Sequence, residues 1–153
     1  MELRAGASSG DGADSTYYAH RIGLAHYNAD IHPYAPSDCQ NGQEWIWGYD
    51  SFRKMRPDMN IGNSDPVHPV YLPYEALLTH YVSNLLLPGY AANVSSFAWG
   101  EVRVLCNLCV LGDAAGIAAA YCVINNLQPL YLNDSQIADI QALLRTVDAK
   151  LDK

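Results

Sequence analysis

Asp30 and His32 are the residues whose types and spacing best suit acid–base chemistry. They lie at the end of a predicted strand, 21–31, in which Ile22 and Leu24 are apolar. Side chains two positions apart on a strand point to the same face. A carboxylate and an imidazole together can exchange a proton with a substrate, so both are candidate catalytic residues. A purely structural pair is the commoner arrangement, and the residues alone leave that alternative open.

The sequence Cys-Asn-Leu-Cys at residues 106–109 is a second chemical candidate, because residues i and i+3 share one face of a helix. Such a pair can serve redox chemistry or bind a metal. No second ligand pair lies nearby, and the five histidines lack metal-ligand spacing, so we expect no metal site. Three of the four cysteines, Cys106, Cys109 and Cys122, lie in one apolar segment, which predicts buried free thiols.

That apolar segment, residues 105–124, predicts a long helix over about 104–125. Its only strongly polar residues are Asn107 and Asp113. It is long enough to cross a bilayer, but Asp113 near its centre would cost about 2.5–3.5 kcal/mol there. Its many Gly and Ala residues suit close packing inside a protein instead. A helix that is apolar all round must be buried on all sides, so we expect a partner chain or a second copy to cover it.

The remaining elements are short. A final helix is expected over 135–151, with a cap at Asp134 or Ser135, because apolar residues recur at helical spacing. Strands are expected at 70–72 and 84–87, a helical turn at 74–79, and an irregular, proline-punctuated stretch at 33–69. The predicted fold class is α/β or α+β. A flexible tail, 1–19, precedes one domain, 20–153, whose parts are 20–82 and 83–153.

Composition narrows the function class. Of the 153 residues, 50% are hydrophobic and only 16% are charged, with a net charge of -7 and no cluster of Lys or Arg. The negative net charge and the lack of a basic cluster exclude binding to nucleic acids or anionic membranes, which requires a basic surface. The first residues lack an apolar signal segment, so the expected location is the cytoplasm. The expected partners are a small-molecule substrate and another protein chain, with neither nucleic acid nor membrane.

Several stretches match a family pattern in the right order and at the right spacing. They are IGLAHYNADIHP (22–33), YLPYEALL (71–78), VSNLLLPGY (82–90), GEVRV (100–104) and LGDAAGIAAA (111–120). Together they resemble the C-terminal half of a family of FAD-dependent oxidoreductases of the glutathione-reductase-like flavoprotein class. The resemblance covers roughly residues 20–145. It implies a redox reaction on a small organic substrate with FAD as the hydride carrier.

The resemblance also implies which residues contact the flavin. In the family, the strand that ends at the position of Gly89 approaches the ribityl chain, and the helix that starts near Val104 points its N-terminus at the pyrimidine edge. The implied cofactor-binding residues are Gly89, Tyr90, Arg103, Val104 and Leu105. This sequence departs from the family pattern at several polar positions: the family has Arg at Tyr90, His near Ser96, Pro-Thr at Cys106-Asn107 and Gln at Asp113.

The largest departure from the family pattern is the missing dinucleotide fingerprint. No strand is followed by Gly-x-Gly-x-x-Gly and a helix, and Gly6, Gly10 and Gly12 have the wrong spacing. We therefore expect a C-terminal portion or subunit that binds FAD only with a complementary dinucleotide-binding half. The alternative is a non-catalytic module, derived from such a half, that oligomerises or binds a partner through the 105–124 helix.

Overall fold

The computed structural model describes residues 19–27, 70–94 and 96–152. The predicted catalytic pair, Asp30 and His32, lies outside the described residues. So do Cys39, the stretch predicted to be irregular and nearly all of the predicted N-terminal tail. Within the described residues the chain combines helices with one small sheet, which agrees with a mixed α and β class.

The sheet has two antiparallel strands, β1 (Arg21–Ala25) and β2 (Val70–Pro73). The register pairs Ala25 with Val70, and an irregularity lies between Arg21 and Gly23. The pairing continues before β1, where the Tyr74 N–H donates to the His20 carbonyl at 2.8 Å. The sequence prediction for 70–72 is confirmed, and the first strand is confirmed as far as it is described.

The helices follow in the second half of the chain. They are α1 (Ser96–Val102), α2 (Leu105–Ile124) and α3 (Asp134–Thr146), with short 3₁₀-helices at Tyr74–Leu77, Gly89–Ala91 and Pro129–Tyr131. The predicted long helix and the helical turn after Pro73 are therefore confirmed. The predicted strand at 84–87 is wrong: Leu85 is exposed, and this stretch makes a single bridge, between Leu86 and Leu78. Helix α1 was not predicted.

Helix α3 begins with a capping box. The Asn133 side chain accepts from the Gln136 N–H at 3.0 Å, and the Gln136 side chain accepts from the Asn133 N–H at 2.9 Å. The cap is therefore Asn133, not Asp134 or Ser135, because its oxygen satisfies a first-turn amide that has no intrahelical partner. The helix ends at Thr146 rather than 151, since Asp148 adopts a left-handed conformation with φ 61°.

The side chain of Gln141 in α3 docks on the backbone of the sheet. Its Nε2 atom donates to the carbonyls of Ala19 and Arg21 at 2.7 and 2.9 Å, and the residue is only 8% exposed. The amide therefore has partners inside a largely apolar interface, as a buried polar group requires. These bonds fix α3 relative to β1.

Helix α2 is the core helix of the domain, and it packs against both β1 and α3. One face is buried, and the core beneath it includes the side chains of Ile22, Leu72, Leu111, Ile140 and Leu144. By length and composition alone α2 is apolar enough to cross a membrane, as many soluble core helices are. Its opposite face is exposed in this chain: Leu105, Val123 and Ile124 are 75%, 81% and 82% accessible. The chain by itself therefore covers only one face of α2, as the sequence predicts, and the cover over the other face by a partner chain or a second copy stays a prediction.

Candidate functional site

The first turn of α2 carries no side-chain cap. Val104 is the N-cap residue, in an extended conformation with φ -73° and ψ 145°, and its apolar side chain makes no capping bond. Its carbonyl accepts the Leu108 N–H at 3.1 Å, which starts the helical ladder. The N–H groups of a first turn have no intrahelical partner, and the helix dipole places partial positive charge there. The half-buried Arg103 precedes this turn and adds a cation.

A 3₁₀-helix, Gly89–Ala91, packs against α2. Gly89 is in the left-handed region, with φ 68°, and no atom lies within 4 Å of where a Cβ would stand. The Tyr90 ring is exposed and meets the Trp99 ring of α1 edge-on, with centroids 5.5 Å apart. The five predicted cofactor-binding residues therefore lie on adjoining elements, although Gly89 begins a 3₁₀-helix instead of ending a strand.

Asn107 ties the end of β1 to the first turns of α2. Its side chain is 2% exposed, and its Oδ1 accepts the His26 N–H at 3.1 Å and the Cys106 thiol at 3.7 Å. The sequence pattern gave Asn107 no role beyond its departure from the family pattern. The sequence nevertheless indicates such a role, because Asn107 is a single amide in an apolar helical segment. A buried amide is stable only when it is hydrogen-bonded.

A comparison with known protein families shows the family to which the chain belongs. A family model described as FAD dependent oxidoreductase matches residues 9–144. The chain belongs to this family. FAD is accordingly its cofactor, and the redox class predicted from the sequence is confirmed at that level. No curated protein and no solved structure matches the chain significantly.

The first turn of α2 is chemically suited to one edge of FAD. The amide donors of this turn suit a group that gains negative charge, as a flavin does on reduction, and the open space at Gly89 leaves the backbone there accessible. Among the described residues, no group of three His, Cys, Asp or Glu side chains is placed to hold a metal ion.

A groove runs along α2 in this oxidoreductase chain, with a cavity volume of about 520 Å³. Its lining includes Gly112 and Gly116 of α2, together with Leu86, Pro88 and Pro129. No atom lies within 4 Å of where a Cβ would stand at either glycine. The face of α2 that carries Gly112 and Gly116, called here the small-residue face, therefore packs against nothing at these two positions within the described part of the chain.

A histidine and two carboxylates join separate parts of the oxidoreductase domain. The His20 Nδ1 contacts the Glu75 carboxylate, and its Nε2 lies 3.2 Å from the Asp134 carboxylate. Burial lowers the pKa of His20, but hydrogen bonds to both carboxylates and their charges outweigh it, so the pKa is raised above 6.5. The cluster connects the turn before β1 with the 3₁₀-helix Tyr74–Leu77 and with the start of α3.

This cluster predicts a pH-dependent stability. Because the pKa of His20 is higher in the folded chain, its contribution is fully present below pH 6.5 and is lost as the pH rises through the folded pKa. We expect the free energy of unfolding to fall above pH 6.5, by a smaller amount in His20→Gln than in the natural chain. Urea unfolding at closely spaced pH values measures this difference. Identical pH profiles for the two proteins would contradict the prediction.

Proposed function

We propose that this chain forms the flavin-facing, C-terminal portion of an FAD-dependent oxidoreductase of the glutathione-reductase-like class, acting on a small organic substrate. The observation that carries the proposal is the uncapped first turn of α2 together with the open 3₁₀-helix Gly89–Ala91, which packs against the same helix. Bound FAD would supply the redox chemistry as a carrier of a hydride, that is, two electrons with one proton.

The chain's own contribution is electrostatic. The N–H groups of Val104 and Leu105 donate to the pyrimidine edge of the flavin, and Arg103 stabilises negative charge close by. Gly89 and Tyr90 border the ribityl side, where the absence of a side chain at Gly89 leaves room. Donors fixed at a helix terminus need little reorganisation when charge develops.

Asp30 and His32 complete the proposal as the acid–base pair on the substrate side. The strand that precedes them, β1, is held to the first turns of α2 by the bond from the His26 N–H to Asn107. This bond supports a substrate position next to the α2 terminus. Asp30 would accept or orient a proton that His32 exchanges with the substrate.

The proposed partner is a complementary chain or region that supplies the dinucleotide-binding half, in the cytoplasm. The exposed small-residue and apolar face of α2 supports such a partner, because a large uncovered apolar surface is typical of interaction sites. Neither nucleic acid nor membrane is part of the proposal. The second candidate, a non-catalytic oligomerising module, draws on the same face, since a second copy would bury Val123 and Ile124 equally well.

Leu105→Pro is the sharpest test of the flavin contact. Proline suits the first helical position, and Val104 already has the extended conformation that a residue before proline prefers, so the helix is retained. The substitution removes one N–H donor. We expect FAD to bind up to about tenfold more weakly, as the loss of one hydrogen bond worth about 0.5–1.5 kcal/mol implies. Fluorescence titration of the chain, purified with any polypeptide that accompanies it, measures the affinity.

Leu105→Ala is the matched control, because it removes the same side chain but keeps the N–H. It should bind FAD as the natural chain does. Equal affinity in Leu105→Pro and Leu105→Ala would contradict the proposed contact. A colourless homo-oligomer that takes up no added FAD would overturn the enzyme proposal and favour the oligomerising module.

A further inference from the structure

Cys106 and Cys109 are both exposed free thiols in the first two turns of α2, whereas Cys122 in the same helix is buried. The expectation of three buried thiols is therefore wrong for this pair. The helix turns one face into the core at Asn107 and Leu108, and this leaves both cysteines on the accessible side. An exposed pair of thiols at the start of a helix is suited to redox chemistry, unlike a buried structural thiol.

Helix geometry places the two cysteines within reach of each other. With a rise of about 1.5 Å and a turn of about 100° per residue, Cα atoms three positions apart are about 5 Å apart. This separation lies within the range of about 4.4–6.8 Å that disulfides span. The Cβ atoms, about 5–6 Å apart on a regular helix, must approach to about 3.8 Å. The first turn can tighten locally, since its N–H groups make no intrahelical bonds.

We propose that Cys106 and Cys109 form a reversible disulfide within α2, and that this dithiol reduces low-molecular-weight disulfides. The Cys106 thiolate attacks one sulfur of the small disulfide, which releases one small thiol and leaves a mixed disulfide. The Cys109 thiolate then attacks Cys106 and releases the second small thiol. The protein dithiol loses two electrons and two protons, and the small disulfide gains both. The step needs no flavin, so it stands independently of the function proposed above.

The surroundings distinguish the roles of the two sulfurs. Cys106 lies in the first turn, where the positive helix end stabilises a negatively charged attacking sulfur. Its thiol donates a weak hydrogen bond to Asn107 Oδ1 at 3.7 Å, and this bond is lost when the thiol is oxidised. Asn107 keeps its bond to the His26 N–H, so oxidation leaves β1 attached. Cys122 is the internal contrast, because burial raises the pKa of its thiol and keeps it protonated.

The test equilibrates the full chain with oxidised and reduced glutathione, quenches free thiols with an alkylating agent and maps the peptides by mass spectrometry. We expect the peptide that holds both cysteines to lose two hydrogens reversibly and to escape alkylation. Cys106→Ser and Cys109→Ser should each abolish this product completely. Cys109→Ser should also accumulate a glutathione adduct on Cys106, because the resolving thiol is gone. Cys122→Ser is the matched control and should leave the disulfide unchanged.

Several outcomes would overturn the proposal. One is full alkylation of both cysteines under oxidising glutathione. Another is the accumulation of separate glutathione adducts on Cys106 and Cys109 in the natural chain. A third is a disulfide that joins either residue to Cys39 or to another chain. Because the readout is the thiol state, loss of FAD binding alone would leave the dithiol proposal intact.

Discussion

Leu111→Ala should lower the free energy of unfolding by about 2–5 kcal/mol, the usual cost of emptying a buried leucine site. Leu111 is fully buried on the face of α2 that belongs to the hydrophobic core of the described residues, and α2 packs against β1 and α3. Elements on several sides hold the cavity open, so they can collapse only partly into it. Urea unfolding followed by far-ultraviolet circular dichroism measures the change.

Val123→Ala is the matched control, because it also truncates an aliphatic residue of α2 but at a position 81% exposed. In the dilute, unassembled chain it should change the free energy of unfolding by less than about 0.5 kcal/mol. Equal losses for the two substitutions would mean that both faces of α2 are buried in the folded chain. That result would contradict the orientation of the helix described here.

Gly23→Ala should also destabilise the chain, by about 1–3 kcal/mol, the typical cost of overpacking a core. A Cβ at Gly23 would lie 2.2 Å from Cγ1 of Val110 in α2. Valine is stiff at χ1, so the clash must be relieved by moving β1 away from the helix. The double variant Gly23→Ala/Val110→Ala should be more stable than the two single effects predict, because it removes Cγ1. A double-mutant cycle in urea measures this coupling.

Gly112→Ala is the control for the glycine substitution. A Cβ there meets no atom within 4 Å, and alanine favours a helix interior over glycine by about 1 kcal/mol. We therefore expect this variant to stabilise the isolated chain. A loss of stability at Gly112 as large as that at Gly23 would contradict the open groove. A more stable chain that no longer assembles with its partner would support docking through this face.

The long helix was predictable from the sequence, but the face it buries was not. The apolar run gave α2 within one residue at each end, because few polar residues interrupt it. Leu111 and Val123 are both aliphatic, yet one is buried and the other is exposed. Periodicity identifies a buried face only when the other face is polar. For the same reason the sequence predicted three buried cysteines where two are exposed.

The candidate site was predictable in part. The family resemblance indicated Arg103, Val104 and Leu105, and the structure places them at an uncapped helix start. The local role of Asn107 was not predictable, because its partner at His26 is distant in sequence. The short helix α1 was not predicted either, because a helix of seven residues is too short to show a clear hydrophobic periodicity.

The docking of Gln141 on β1 also protects part of one edge of the sheet. Alternate carbonyls of a strand point to opposite sides: that of His20 faces β2, and those of Ala19 and Arg21 face outward. Gln141 occupies these two outward carbonyls, which are acceptors that an incoming strand would need at the start of β1. An edge blocked in this way resists strand addition and the aggregation that follows from it. An incoming strand is thereby hindered at the start of β1, whereas the exposed face of α2 stays accessible.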